Sequence, residues 1–138
     1  MSDKNKDRTF LIGLSKGEDL IKEITNEVQK RNIEKGIIQA IGAVSQAKIG
    51  YYDQKNKEYL YTEFKQHLEI VNCMGNISIL EGEPMVHAHI ALADKSGKTY
   101  GGHLAEGTKI FAAELFIQEI SGQKLIRRYE KDRGLTLW

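Results

Sequence analysis

The sequence predicts an α+β fold in which one main helix packs on a curved, mostly antiparallel β-sheet. Only one stretch, about residues 17 to 31, places its apolar side chains at helical spacing. From residue 36 onward, short runs rich in β-branched residues alternate with turn residues, which is typical of hairpin-connected strands. A pair of these strands carries three of the four histidines in the chain. These observations favour an antiparallel sheet that is covered on one face by a single helix.

The helix is predicted to follow Ser15 and to end near Asn32. Ser15 and Glu18 have the spacing of a capping box, in which each side chain accepts a hydrogen bond from the other residue's backbone. The apolar residues at helical spacing are Leu20, Ile21, Ile24 and Val28. This single stripe predicts one buried face and one solvated face.

Strands are predicted wherever apolar runs lie between turn signals. They are expected at residues 9–14, 36–44, 47–52, 58–64, 68–80, 86–93, 99–104, 110–120 and 125–130. Pro84 stands at the start of the histidine strand, where its missing N–H is tolerated. The tail at 134–138 is apolar for a terminus, so it is expected to pack down, either on its own chain or on a neighbouring subunit.

Length, charge and cysteine usage bound the class of protein. The 138 residues suit a single domain, expected over residues 8–138 after a disordered N-terminus at 1–7. The net charge of +1 gives no strong field for nucleic acid. No apolar segment resembles a signal peptide or could span a membrane, and the single cysteine, Cys73, lies in an apolar run that predicts burial rather than reactivity. A cytoplasmic protein with no membrane association is expected.

The histidine hairpin is the strongest candidate for chemistry. Residues two apart in a strand share a face, so His87 and His89 lie roughly 7 Å apart at their Cβ atoms. A return strand can bring His103 beside them, and Gly101 and Gly102 leave room there. Three imidazole nitrogens can bind one ion at about 2.0–2.1 Å, with a fourth position open to water or to a partner's ligand. The alternative is a polar histidine cluster at a subunit interface or in a pocket.

Several short segments, read together in order, resemble a known family. They are Gly17-Glu18-Asp19-Leu20, Ile41-Gly42-Ala43-Val44, Tyr51-Tyr52, Gly75-Asn76-Ile77-Ser78, Val86-His87-Ala88-His89, Gly101-Gly102-His103-Leu104 and Glu106-Gly107-Thr108. Across about residues 8 to 136 the chain resembles the plant and prokaryote conserved (PPC) domain. This domain accompanies an AT-hook in nuclear proteins of plants and stands alone in bacteria and archaea.

The resemblance implies a one-helix α+β domain that forms a homotrimer. It also implies that His87, His89 and His103 hold a metal ion, namely zinc. The wider fold group includes acetolactate decarboxylase and a zinc-dependent ester hydrolase, which have three-histidine zinc sites. That analogy concerns the fold and the site, and does not transfer an activity.

The chain departs from the plant proteins at two places. The basic AT-hook, with its Arg-Gly-Arg-Pro core, is absent, and the N-terminus offers only Lys4, Lys6 and Arg8. The plant segment Gly-Arg-Phe-Glu-Ile-Leu, which makes partner contacts there, appears here as residues 66–71, with its glycine and arginine replaced. The plant partner contact is therefore not expected in this protein.

A DNA-binding or regulatory role is the function that the family resemblance suggests first. The residues available for DNA are Lys124, Arg127 and Arg128, with Lys131 and Arg133 nearby. Acidic residues lie between and beside them, and no recognised DNA-binding motif is present. A solvated charged strand explains the same residues more simply.

The alternative is a zinc-dependent enzyme, hydrolase- or decarboxylase-like, that acts on a small molecule. Three protein ligands with an open position are typical of catalytic zinc. Glu106 and Glu114 are the candidate general acids or bases, since they follow His103 closely in sequence. Acids near turns and strand edges are more often simply solvated. A third hypothesis is that the histidines lie at the interface between subunits, and that the trimer is a regulatory or scaffold module.

Overall fold

The computed structural model describes residues 7–138, so the predicted disordered N-terminus at 1–7 falls almost wholly outside the described residues. In chain order the elements are β1 (Thr9–Leu14), α1 (Leu20–Gln29), β2 (Gly36–Asp53), β3 (Glu58–Phe64), β4 (Leu68–Leu80), β5 (Glu83–Ala93), β6 (Thr99–Leu104), β7 (Lys109–Glu119), β8 (Arg128–Glu130) and β9 (Leu135–Leu137). Within this part of the chain, α1 is the one α-helix, as the apolar spacing predicts.

Seven strands form one sheet in the order β1-β7-β2-β4-β5-β6, with β3 also paired to β2. Every pairing between these strands is antiparallel, which confirms the predicted sheet type. The far half of β2 also pairs with β6, through Ile49 opposite Leu104 and Gly50 opposite His103. Hydrogen bonds thereby link the four strands β2, β4, β5 and β6 into a closed ring, and β6, which carries His103, lies beside β2.

The strand β2 is one continuous element, whereas the sequence predicted two strands at 36–44 and 47–52. Its ladder with β7 continues from Ala43 through Val44 to Gln46, with shifts in register between these residues. A β-bulge absorbs an extra residue without ending the strand. The polar Ser45-Gln46 pair therefore marks an irregularity, and the prediction of a break was wrong.

The helix begins later than predicted, and Asp19 caps it in place of Ser15. The Asp19 carboxylate accepts hydrogen bonds from the backbone N–H of Lys22, at 3.2 Å, and of Gly107, at 2.7 Å. The residues before it are tied to β7, because the backbone of Gly17 and that of Glu18 both bond to Ile110. The predicted capping box was wrong because residues 16–18 form a turn that is bonded to β7, so that the helix begins only after Asp19.

The core lies between the helix and one face of the sheet. Leu20, Ile24 and Val28 are fully buried and pack against β5 and β7, and each such side chain contributes about 1.5–3 kcal/mol of hydrophobic stabilisation. Cys73 is also fully buried, and burial raises the pKa of its thiol to about 12. This agrees with the prediction of a small core residue, since such a thiol carries little thiolate.

The opposite face of the sheet carries exposed apolar side chains and the histidines. Along β2, β4 and β7 the alternation places one set of residues toward the helix and the other toward this uncovered face. The large apolar residues exposed on it are Leu11, Ile37, Ile41, Val71, Met74 and Phe111. Among the described residues no helix is long and apolar enough to cross a membrane.

The C-terminal segment folds back onto its own chain. The backbone of Ile79 exchanges hydrogen bonds with Leu125 and Arg127, both at 2.8 Å, as a short parallel bridge. Beyond this bridge β8 and β9 form a two-stranded antiparallel hairpin. The strand predicted at 125–130 is thus reduced to β8 and a bridge, and the predicted packing of the tail occurs within the chain.

Candidate metal centre

The three histidines predicted to converge do so. His89 on β5 lies directly opposite His103 on β6, and His87 lies two residues before His89 on the same face. One ring nitrogen from each of the three lies within 4.8 Å of the other two. The ring centroids of His87 are 5.2 Å from those of both His89 and His103. The geometry is that of three imidazoles around a common point.

Two glycines allow this arrangement. Gly75 on β4 pairs with Ala88, between the two histidines of β5, and a Cβ at Gly75 would lie 2.1 Å from the His87 carbonyl oxygen. A Cβ at Gly102 would lie 2.6 Å from the Gly50 carbonyl oxygen. The room that Gly102 leaves beside His103 is thus taken by the backbone of β2.

A nitrogen in the cluster has no protein partner. The Nδ1 atom of His103 is buried and has no hydrogen-bond partner among the described residues. Buried polar atoms nearly always have a partner, so an unsatisfied one needs an explanation. An imidazole nitrogen with a free lone pair, among two others, fits a metal ion as the missing partner.

The surroundings keep two of the imidazoles neutral. Burial, assisted by the nearby His103, His89 and Arg127, lowers the pKa of His87 to about 4. Burial and then His89 lower the pKa of His103. Neutral imidazoles carry the lone pairs that metal binding requires, so at neutral pH these two side chains need release no proton to bind an ion.

A cavity of about 310 Å³ lies beside His87 and His103. Its other walls are Tyr59, Met85, Arg127 and residues 134–137 of the C-terminal hairpin. The Tyr59 ring lies 4.8 Å from the His103 ring, centroid to centroid, and burial raises the pKa of the Tyr59 hydroxyl. Two of the three histidines therefore border a partly open pocket rather than a flat surface.

The comparisons with known proteins agree with this architecture. The sequence profile of the Plants and Prokaryotes Conserved (PCC) domain matches residues 1–121. The chain belongs to this family. The resemblance to the plant and prokaryote conserved domain is thereby confirmed over most of the length at which it was expected.

Several solved structures superimpose closely on this one. A plant- and prokaryote-conserved protein of Pyrococcus horikoshii is 40% identical, with a TM-score of 0.91 over 100% of this chain and 96% of its own. A protein of Archaeoglobus fulgidus, described as metal-containing, is also 40% identical, with a TM-score of 0.90 over 95% of this chain and 92% of its own. A Bacteroides thetaiotaomicron protein, named with DNA binding as a conjectured function, is 25% identical, with a TM-score of 0.86 over 94% and 90%.

A much longer protein matches nearly the whole of this chain. The bifunctional protein GlmU of a Synechococcus strain is 32% identical over 129 residues, which are 92% of this chain and 20% of that protein. The chain thus spans about a fifth of the length of the curated relatives it matches.

The basic residues predicted for DNA do not form one surface in this PCC domain. Arg127 is only 7% exposed and lines the histidine cavity. Lys124 is exposed and lies 2.6 Å from the carboxylate of Glu34, while Arg128 is exposed on β8. The surface prediction was wrong for Arg127, because the bridge to Ile79 turns that side chain inward while its neighbour points outward.

The two predicted catalytic acids lie away from the histidines. Glu106 is exposed and pairs with Lys22 of the helix at 3.7 Å. Glu114 lies on β7 opposite Ile41, where it faces solvent. No carboxylate belongs to the residues that line the histidine cavity in the described chain. The structure brings together the three histidines but neither glutamate.

Sequence reasoning missed Tyr59 and the hairpin wall, and it assigned Arg127 to DNA binding instead of to this cavity. Asn76 could have been found, since it lies opposite His87 in the β4–β5 register and accepts a hydrogen bond from Arg127. No local pattern marks Tyr59, which reaches His103 because both β3 and β6 pair with β2. These neighbours depend on pairings between strands far apart in sequence.

Proposed function

We propose that this PCC-domain protein binds a zinc ion through His87, His89 and His103, and that this site handles a small molecule in the adjoining cavity. The observation that carries the proposal is the convergence of three ring nitrogens within 4.8 Å. Three histidines leave a tetrahedral ion one position for water or a ligand, which is the pattern of catalytic zinc.

Three further features support the metal. The buried Nδ1 of His103 has no hydrogen-bond partner among the described residues, which leaves it available to a metal ion. Neutral imidazoles and a nearby space suit an ion that must exchange a ligand. The Archaeoglobus protein with 40% identity is described as metal-containing.

The cavity favours a zinc-dependent enzyme that is similar to a hydrolase or a decarboxylase. Bound zinc supplies a Lewis acid and lowers the pKa of its water to about 7. The chain itself supplies the Tyr59 hydroxyl, which burial keeps protonated, so that it can donate a hydrogen bond to a ligand. With Glu106 and Glu114 elsewhere, Tyr59 replaces them as the proton-carrying group of the proposal.

The proposal includes assembly into a homotrimer. The uncovered face of the sheet exposes the six large apolar residues given above, and Leu11 is 85% exposed. Apolar side chains grouped on one face are typical of interfaces between proteins. Burying this face between copies would stabilise the chain without involving the helix.

We expect wild-type protein, purified without added metal, to contain about one zinc per chain. The double variant His87→Ala/His89→Ala should contain none, because a single remaining imidazole cannot hold the ion. Metal content is measured by plasma mass spectrometry, and molar mass by light scattering on the same samples. A mass three times the 15.6 kDa of the chain is expected for the wild type.

His67 provides the matched control for this experiment. It is the one histidine outside the cluster, and it is exposed between β3 and β4. The variant His67→Ala should keep its zinc. Wild-type protein that contains no metal, and takes up none on titration, would refute the zinc proposal, and a monomer mass would refute the trimer.

DNA association is the second candidate, favoured by the description of the Bacteroides relative. With Arg127 buried, the exposed basic residues are Arg128 and Lys131, together with Lys124 and Arg133, which are paired with acids. We expect binding to a random duplex no tighter than the non-specific range of about 10⁻⁴–10⁻⁶ M at physiological salt. Fluorescence anisotropy measures it. Tighter binding that Lys124→Gln/Arg128→Gln abolishes would show that these residues do form a DNA surface.

A further inference from the structure

We propose that the cavity beside the histidines binds a small oxyanion, a carboxylate or phosphate group, through the guanidinium of Arg127. The inference rests on the proposed function, since it names the ligand class of the same site. It assigns Arg127 the role of a binding residue beside the metal, in place of a role on the DNA-facing surface.

The charge of Arg127 has no counter-charge among residues 7–138. The residue is 7% exposed, and no carboxylate of residues 7–138 lies within ion-pair distance of it. Its partners are all neutral: Ser78 Oγ at 2.6 Å, Thr136 O at 3.0 Å and Asn76 Oδ1 at 3.0 Å. A buried cation is costly unless it is paired, so an anionic ligand would offset an existing cost.

The guanidinium retains donors for a ligand. Arginine carries five N–H groups, and these three hydrogen bonds use one on each nitrogen. One N–H on each terminal nitrogen is left, which is the number that a carboxylate or phosphate accepts in paired fashion. The three protein bonds also fix the side chain before binding, so little of its rotamer freedom remains to be lost.

The walls of the cavity suit a small anion. Arg127 is the one charged side chain among the residues that line it, apart from the titratable histidines, and Met85, Leu135 and Leu137 provide apolar surface. Apolar walls lower the local dielectric and strengthen the attraction between a guanidinium and an oxyanion. The volume of about 310 Å³ is at the lower end for ligand pockets, which favours a small acid over a nucleotide.

The test is calorimetric titration of full-length, zinc-loaded protein with acetate, with inorganic phosphate and with neutral acetamide. We expect the wild type to bind at least one of the two anions and not acetamide. Arg127→Gln should lower the affinity for the anion about ten- to one-hundredfold, which is the range for the loss of a hydrogen bond to a charged group. Arg128→Gln removes the same charge from the neighbouring exposed residue and should leave affinity unchanged. A preference for acetate would indicate a carboxylate ligand, and a preference for phosphate would indicate a phosphate ligand.

A conservative variant separates binding from a purely structural role. Arg127→Lys keeps the charge but loses the paired donors, so an affinity between that of wild type and Arg127→Gln is expected. Arg127→Lys also carries the test if Arg127→Gln does not fold, as judged by circular dichroism. A purely structural arginine would change stability in these variants without changing anion affinity.

Failure of this inference is distinguishable from failure of the proposed function. Zinc is measured on every sample, and the titrations are repeated on metal-free protein. Absence of zinc refutes the metal site, and the comparison of Arg127 and Arg128 variants then still decides the anion site. The assignment is overturned if zinc-loaded wild-type protein binds neither anion. It is also overturned if the Arg127→Gln variant binds the anions as tightly as the wild type does.

Discussion

Gly75→Ala is expected to destabilise the protein by about 3 kcal/mol and to reduce its zinc content. A Cβ there would lie 2.1 Å from the His87 carbonyl oxygen and 2.8 Å from the Ala88 Cα. Both neighbours are backbone or core atoms, so β4 and β5 must separate to accommodate the methyl group. Because β5 carries His87 and His89, the separation disturbs two of the three metal ligands. Urea denaturation and metal analysis measure the two effects.

Gly13→Ala is the matched control for this substitution. Gly13 also lies in a strand, and a Cβ there would meet no atom within 4 Å. We expect a change in unfolding free energy within about 0.5 kcal/mol and full zinc content. Equal effects of the two substitutions would mean that the close approach of β4 and β5 does not hold the histidines in place.

Acidification is expected to destabilise the metal-free protein through His87. The folded-state pKa of about 4 lies below the ordinary value of 6.5, so the unfolded chain binds a proton more readily as pH falls. The unfolding free energy should be level above about pH 6.5 and fall between 6.5 and 4, by about 2 kcal/mol after allowance for partial exposure. Urea denaturation across this range measures it.

His87→Ala separates this effect from acid denaturation by carboxylates. The pKa values of Glu27 and Glu119 lie below their ordinary range because of paired cations, so their contribution is lost at lower pH. The variant should flatten the slope between pH 6.5 and about 4.5 and leave the steeper loss below it. A slope identical to that of wild type would assign the transition to other groups.

The histidine cluster could be predicted because it depends on local geometry. Alternation in a strand places His87 and His89 on one face whatever the rest of the fold does, and a short turn brings back the strand of His103. The helix face was predictable for the same reason, since spacing alone selects Leu20 and Ile24 for burial.

The errors have a common cause in tertiary pairing. Ser15 has the right spacing for a cap, yet the preceding segment is bonded to β7 and Asp19 takes the role. Arg127 and Arg128 are neighbouring arginines that carry the same charge, so the sequence alone does not distinguish them. The bridge at Ile79 fixes the strand orientation that buries Arg127 and exposes Arg128. A sequence pattern reports neighbours along the chain, and these outcomes depend on neighbours across it.

The C-terminal hairpin lies outside the residues that match the PCC domain. The three clustered histidines lie within the matched residues 1–121, whereas Arg127 and the wall at 134–137 lie beyond them. In the proposed site, the part that would hold the ion and the part that would select its ligand are therefore encoded in different stretches of chain. Grafting another terminal hairpin onto the same histidines should therefore redirect which acid is accepted while the ion stays in place.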